Sequence, residues 1–129
     1  MSSTLRVTNV SDTTGGTSTN LMSGLAKAWS NLNGTGTIAE RDSFNISGYV
    51  DNGTGNYTFT ISNDMSDANY QQSSTAQESG TGSNRGVGNI PSVAAGSLQV
   101  ATSYVSTTGG IAAADDCLYV CINIHGDLA

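Results

Sequence analysis

Residues 26–61 read AKAWSNLNGTGTIAERDSFNISGYVDNGTGNYTFTI, and the parsing of this stretch decides the fold. Its second half carries two alternating runs around a tight turn. Residues 44–50 put Phe44, Ile46, Gly48 and Val50 on one side, and residues 57–61 put Tyr57, Phe59 and Ile61 on one face with threonines opposite. Between them stands DNGTG, residues 51–55, whose Asn52-Gly53 pair tolerates the positive φ that a hairpin turn needs. Period-two alternation around an Asn-Gly turn is a strong short-range hairpin signal. The first half holds the single Trp, Trp29, and a second copy of the same tetrapeptide at residues 33–36. Upstream of it, Leu21, Leu25 and Trp29 share a helical face, as do Leu21, Leu25, Ala28 and Leu32. Asn20 stands where a cap belongs. The pattern predicts one short helix over residues 21–31. Such a helix is marginal alone in water, so its stripe of Leu21, Leu25 and Trp29 is expected to dock and to serve assembly.

Working outward, residues 4–10 (TLRVTNV) alternate as a short strand, and residues 11–20 are a polar loop. Residues 37–43 are expected to be extended and residues 62–67 to turn. Residues 68–76 form a polar, half-exposed strand, and the glycine-rich residues 77–88 a long exposed loop. Residues 98–105 alternate again. Residues 117–124 close the chain, with Leu118, Val120, Ile122 and Ile124 on one face and Cys117, Tyr119, Cys121 and Asn123 on the other. Both faces are fairly apolar, so this strand belongs at the centre of a sheet or at a subunit interface. Five to seven short strands at roughly ten-residue spacing indicate a mainly β chain. The expected fold is a small antiparallel β-sandwich or jelly-roll-like domain with one short N-terminal helix. The two tetrapeptides are turns rather than a repeat architecture, because nothing else recurs at their spacing. Two parts are expected: residues 1–32 as an anchoring or trimerisation segment, and residues 33–129 as the β-rich domain.

Composition limits the functions open to such a chain. Ser, Thr, Asn and Gly make up 62 of the 129 residues. Charged residues are 11%, against about 25% in an average soluble domain. The surface is therefore built of hydroxyls and amides. The net charge is −6 with only four Lys and Arg, so a run of phosphates has no counterpart and nucleic acid is not an expected partner. The same scarcity argues against an anionic membrane surface. No apolar run approaches the ~20 residues that span a bilayer, so membrane insertion is not expected. The N-terminus lacks the basic and apolar regions of a secretory signal. Cys117 and Cys121 on one strand face stand about 13 Å apart, too far for a disulfide, and are expected to be free thiols, as suits a reducing cytoplasm.

No catalytic constellation emerges. The single histidine, His125, lies near the end of the last strand, with no triad evident around it. Carboxylates pair in sequence as Glu40 with Asp42, Asp64 with Asp67, and Asp115 with Asp116. Glu40 and Asp42 are expected to share a strand face, at a separation a glycosidase can use, but all these acids sit in polar or turning segments where solvated charge is the simpler reading. One histidine and two cysteines do not make a structural zinc site, residues 51–56 miss the spacing of a calcium loop, and no cofactor is expected. The five Asn-x-Ser/Thr acceptors, at Asn9, Asn33, Asn45, Asn52 and Asn56, follow from composition. What remains is surface: tyrosines among Thr, Ser and Asn suit glycan or protein contact as well as cross-strand packing, with Tyr70 and Tyr104 the candidate contact residues.

The central stretch resembles fibre proteins of marine and other tailed bacteriophages. Their segment has the form K-A-W-x-N-F-N-G-T-G-T, then R-x-S-F-N-V-S, then D-N-G-T-G-D/N-Y-T. The matching residues are Lys27, Ala28, Trp29, Asn31, residues 33–37, Arg41, residues 43–45, Ser47 and residues 51–58. Ala68-Asn69-Tyr70 is similar to the family's D-A-N-Y step, and STLRVTNV to its opening S-T-L-K-V-x-x-I. Ser30, Leu32 and Glu40 depart from the family's usual Val, Phe and apolar residue. The resemblance implies a non-enzymatic virion component: a homotrimer, assembled in the host cytoplasm and displayed on the virion surface. Its partners would be other capsid or tail proteins, and a glycan or protein of the host surface. With no room for a long shaft, the implied forms are a short fibre, a fibre tip or a capsid decoration protein.

Overall fold

The computed structural model describes residues 6, 9–11, 18–20, 24–78, 86–105 and 111–129. Among these residues the chain is mainly antiparallel β. Short strands β1 (Asn9–Ser11) and β2 (Ser18–Asn20) pair with each other. The body begins at β3 (Ala28–Asn33) and continues through β4 (Ala39–Phe44), β5 (Ile46–Asp51) and β6 (Asn56–Ile61). It is completed by β7 (Gln71–Gln77), β8 (Gly86–Ala94), β9 (Ser97–Val105), β10 (Ile111–Ala114) and β11 (Tyr119–His125).

Two sheets result. One has the order β4-β3-β11-β7; in the other β5 pairs β6, and β9 pairs β6, β10 and β8. They face each other across one core. The first sheet contributes Ala28, Leu32, Val120, Ile122 and Ile124; the second contributes Tyr57, Phe59, Ile61, Leu98 and Val100. Each set alternates with outward residues, as a half-buried strand requires. β11 is central, between β3 and β7, as its two apolar faces indicated. Four pairs of consecutive strands (β3–β4, β5–β6, β8–β9, β9–β10) stay within a sheet, so the strands do not alternate between sheets in jelly-roll fashion.

Residues 28–31 are strand, not the expected helix, and residues 21–23 lie outside the described residues. The same letters support both periods. Ala28, Ser30 and Leu32 are buried and Trp29 is exposed, which is period two. β3 pairs with β11 on one side and β4 on the other. Those ladders and the burial of Leu32 outweigh a local preference that is weak at this length. β3 also runs across the boundary expected between residues 32 and 33, so residues 28–32 are part of the β body. The strand expected over residues 4–10 falls largely outside the described residues.

Two corners reshape the hairpin. Asn45 adopts φ 58° and divides residues 39–51 into β4 in one sheet and β5 in the other. Its side chain holds the corner: Nδ2 donates to the carbonyls of Lys27 and Asn63 (both 3.0 Å), and Oδ1 accepts from the Asn63 backbone N–H (2.8 Å). A bulge between Ile46 and Gly48 then switches the face of β5. Tyr49 packs edge-on against Phe59 at 5.3 Å, whereas Phe44 and Val50 are exposed. The single face expected for Phe44, Ile46, Gly48 and Val50 is therefore broken at both points.

Residues 86–88, expected in a loop, begin β8. Their glycines let β8 approach β7: a Cβ on Gly86 would lie 2.6 Å from the Ala76 carbonyl, and one on Gly88 2.8 Å from Ser74 Oγ. Pro91 sits in β8 where the register shifts between Asn89 and Ser92, a position that tolerates its missing donor.

Candidate functional site

Two regions that draw on residues 26–61 stand out. The first closes one end of the sandwich. The Tyr57 side chain is fully buried, and its hydroxyl donates toward Asp116 Oδ1 (2.8 Å) and the Gly34 carbonyl (3.1 Å). Asp116 Oδ1 also accepts from the Gly55 N–H at 2.7 Å. Gly34 N–H donates to the Cys117 carbonyl (3.0 Å), Thr102 N–H to the Gly55 carbonyl (2.7 Å), and Thr102 Oγ1 to the Asp115 carbonyl (2.6 Å). One Asn-Gly-Thr-Gly turn is thus linked to the other through a tyrosine and an aspartate. Gly34 is fixed by space: a Cβ there would meet the Tyr57 hydroxyl at 2.5 Å and the Cys117 carbonyl at 2.8 Å. Burial, then Asp116, pushes the Tyr57 phenol well above its ordinary range. A phenol held neutral and donating to a carboxylate is a clamp rather than a nucleophile.

The second region is the outer face of the β4-β3-β11-β7 sheet. Register places Phe44 directly across from Trp29, with Asn123 on the other side of Trp29 and Ser73 beyond. The next row runs Asp42, Asn31, Cys121, Thr75. Trp29 is 36% and Phe44 53% exposed. At one border Arg41 lies over the Tyr119 ring, 4.4 Å from its centroid, and donates to the Leu118 carbonyl (2.9 Å). The face otherwise presents amides, hydroxyls, a thiol and the Asp42 carboxylate. The Asn31 Oδ1 atom is buried with no hydrogen-bond partner among the described residues.

The expected residues distribute unevenly. Trp29 lies on this open face. Leu25 is 48% exposed just before β3, and Leu21 lies outside the described residues. Tyr70 is no surface residue: it is 7% exposed, and its hydroxyl donates to the Ala94 carbonyl at 3.0 Å. Tyr104 shares the face of Leu98, Val100 and Thr102 on β9 and is half-buried. Glu40 and Asp42 do not share a face. The bulge in the β3–β4 ladder puts Glu40 opposite buried Leu32 and Asp42 opposite Asn31. Glu40 Oε2 accepts from the Tyr49 hydroxyl at 2.6 Å, while Asp42 Oδ1 accepts the Ser43 N–H at 2.9 Å. Cys117 and Cys121 are free thiols, and burial raises the pKa of both. Phe44 was missed by sequence reasoning, because continuous alternation hides a corner; the Asn between Phe44 and Ile46 was the available signal.

The outer side of the other sheet carries a shallow groove of about 640 Å3, lined by small residues such as Ala101, Ser103 and Ala113 between Asn56 and Asn89. Among the described residues no group of three or more His, Cys, Asp or Glu side chains gathers as a metal site, and no helix is long and apolar enough to cross a membrane. Comparisons with protein-family models, curated proteins and solved structures returned no match.

Proposed function

We propose that this chain is a bacteriophage virion structural protein, a short trimeric fibre or a capsid-surface decoration protein, whose copies associate through the open face of the β4-β3-β11-β7 sheet. One observation carries the reading. Several residues that match the phage-fibre segment serve this chain's own fold: Asn45 holds the corner, and Gly34, Gly55 and Tyr57 close the end. Trp29 and Phe44 match the same segment yet stay exposed, side by side, on a face of few charges. Folding alone does not call for two large apolar residues there, whereas depletion of charge and enrichment in aromatics characterise interface cores. In a chain of net charge −6, a weakly charged face is also where copies meet with least repulsion. The reading assigns the chain no catalytic role. Its test is location: antibodies against the chain should label purified virions on capsid or tail, and virions carrying no trace of it would overturn the proposal.

A second reading has its own support. Rigid aromatics beside Asn31, Asn123 and Ser73 also suit a neutral sugar, in a receptor-binding fibre tip or in a carbohydrate-binding module outside phages. It predicts that the isolated monomer retains oligosaccharides on a glycan array and loses them when Trp29 becomes Ala. A trimer bound on the capsid lattice without glycan affinity would dismiss it.

A further inference from the structure

We infer that Asn52 is a site of spontaneous covalent ageing, converting through a cyclic imide to aspartate and isoaspartate, while the fold shields its sequence twin Asn33. The chain carries the tetrapeptide Asn-Gly-Thr-Gly twice, at residues 33–36 and 52–55, so local sequence is nearly constant and structure makes the difference. The reaction needs the backbone nitrogen of the glycine to reach the asparagine side-chain carbonyl carbon. A nitrogen–carbon bond forms and the carbon–Nδ2 bond breaks. Ammonia leaves, taking up the amide proton, and water then opens the five-membered imide at either carbonyl. No oxidant or cofactor enters, and the single co-reactant is solvent water.

At the first copy every required movement is blocked. Gly34 is buried, its N–H is held by the Cys117 carbonyl at 3.0 Å, and it is wedged against the hydroxyl end of Tyr57. The Asn33 side chain is tied at both ends: Nδ2 donates to the Thr35 carbonyl (3.1 Å), and Oδ1 accepts from Thr35 Oγ1 (2.9 Å) and Arg41 (3.3 Å). Asn33 itself is paired with Ala39 in the sheet. Closing the imide there means opening the end of the sandwich.

At the second copy Asn52 and Gly53 are both exposed, and no atom lies within 4 Å of a Cβ built on Gly53. Gly55, at the far end of this tetrapeptide, is anchored to Asp116 and Thr102, but the bonds of Asn52 and Gly53 are local, and among them Asn52 N–H donates to the Asn56 carbonyl and Asn56 N–H to the Gly53 carbonyl (both 2.9 Å). Gly53 N–H donates to Asp51 Oδ1 (2.9 Å), and Asn52 Nδ2 donates to Thr58 Oγ1 (2.8 Å) and Asn56 Oδ1 (3.4 Å). Breaking them leaves the core untouched. The product adds a negative charge beside Asp51, and the isoaspartate form adds a methylene to the backbone of the turn that sets the β5–β6 register.

The test is incubation of the full chain at 37 °C in mildly alkaline buffer, with peptide mapping over time. Conversion of Asn52 is expected to run at least about tenfold faster than that of Asn33 in the folded protein, a factor that corresponds to ~1.4 kcal/mol in barrier height. The difference should collapse when both sites are unfolded in denaturant. Equal rates at the two sites in the folded protein, faster conversion at Asn33, or a difference that persists in denaturant would each overturn the inference.

Discussion

The closed end and the open face both draw on residues 26–61, yet they treat those side chains in opposite ways. At the closed end Tyr57, Asp116, Gly34 and Gly55 form a bonded unit with no atom to spare. On the open face Trp29 and Phe44 stand across from each other and reach solvent. The difference separates two demands that a sequence motif blends together. Polar turn residues are committed to folding this chain, whereas the two exposed aromatics are available to something else.

Breaking this comparison should give effects of very different size. Phe59→Ala removes a fully buried ring from the shared core and should lower stability by about 3–5 kcal/mol, measured by denaturant unfolding. Gly34→Ala forces a methyl against Tyr57 and the Cys117 carbonyl, and should cost about 1–3 kcal/mol as overpacking does. Tyr57→Phe removes a donor from Asp116 and should cost about 1–3 kcal/mol at neutral pH. Replacing Trp29 and Phe44 together by Ser should change the unfolding free energy of the dilute monomer by only about 0.5 kcal/mol per site. A large loss there would mean that these aromatics serve the core after all.

The closed end also has a pH signature. Burial and Asp116 raise Tyr57 above its ordinary 10.0, and burial raises Cys117 above its ordinary 9.0. In each case the unfolded chain loses its proton first. Their contribution to stability is therefore complete below about pH 9 and declines as pH climbs through 9 and 10, where unfolding releases protons. Unfolding free energy followed from pH 7 to 11 should fall across this window, and less steeply in Tyr57→Phe.

How far the sequence disclosed this arrangement follows from which signals act locally. The Asn52-Gly53 turn, the inward set Tyr57, Phe59 and Ile61, and the central final strand were legible, because alternation and turn chemistry are properties of neighbouring residues. β3 was not, because Leu21, Leu25, Ala28 and Leu32 fit a helix as well as Ala28, Ser30 and Leu32 fit a strand; only pairing with β11, some ninety residues away, decides between them. The bulges were illegible for a similar reason. An extra residue in β4 separates Glu40 from Asp42 with no glycine or proline at the shift, and another in β5 turns Tyr49 inward beside Gly48, whose place in an unbroken alternation concealed the bulge. Tyr70 looked like a surface tyrosine in a polar run, yet the Ala94 carbonyl that accepts its hydroxyl lies far along the chain.

The most direct test of the account is the mass of the intact chain in solution, measured by sedimentation equilibrium over a range of concentrations beside the Trp29→Ser, Phe44→Ser double variant. The account predicts a species of three times 13.1 kDa for the natural sequence, and a folded monomer for the variant. A monomer for both, or a trimer that the double substitution leaves intact, would contradict the assignment of the open face to assembly.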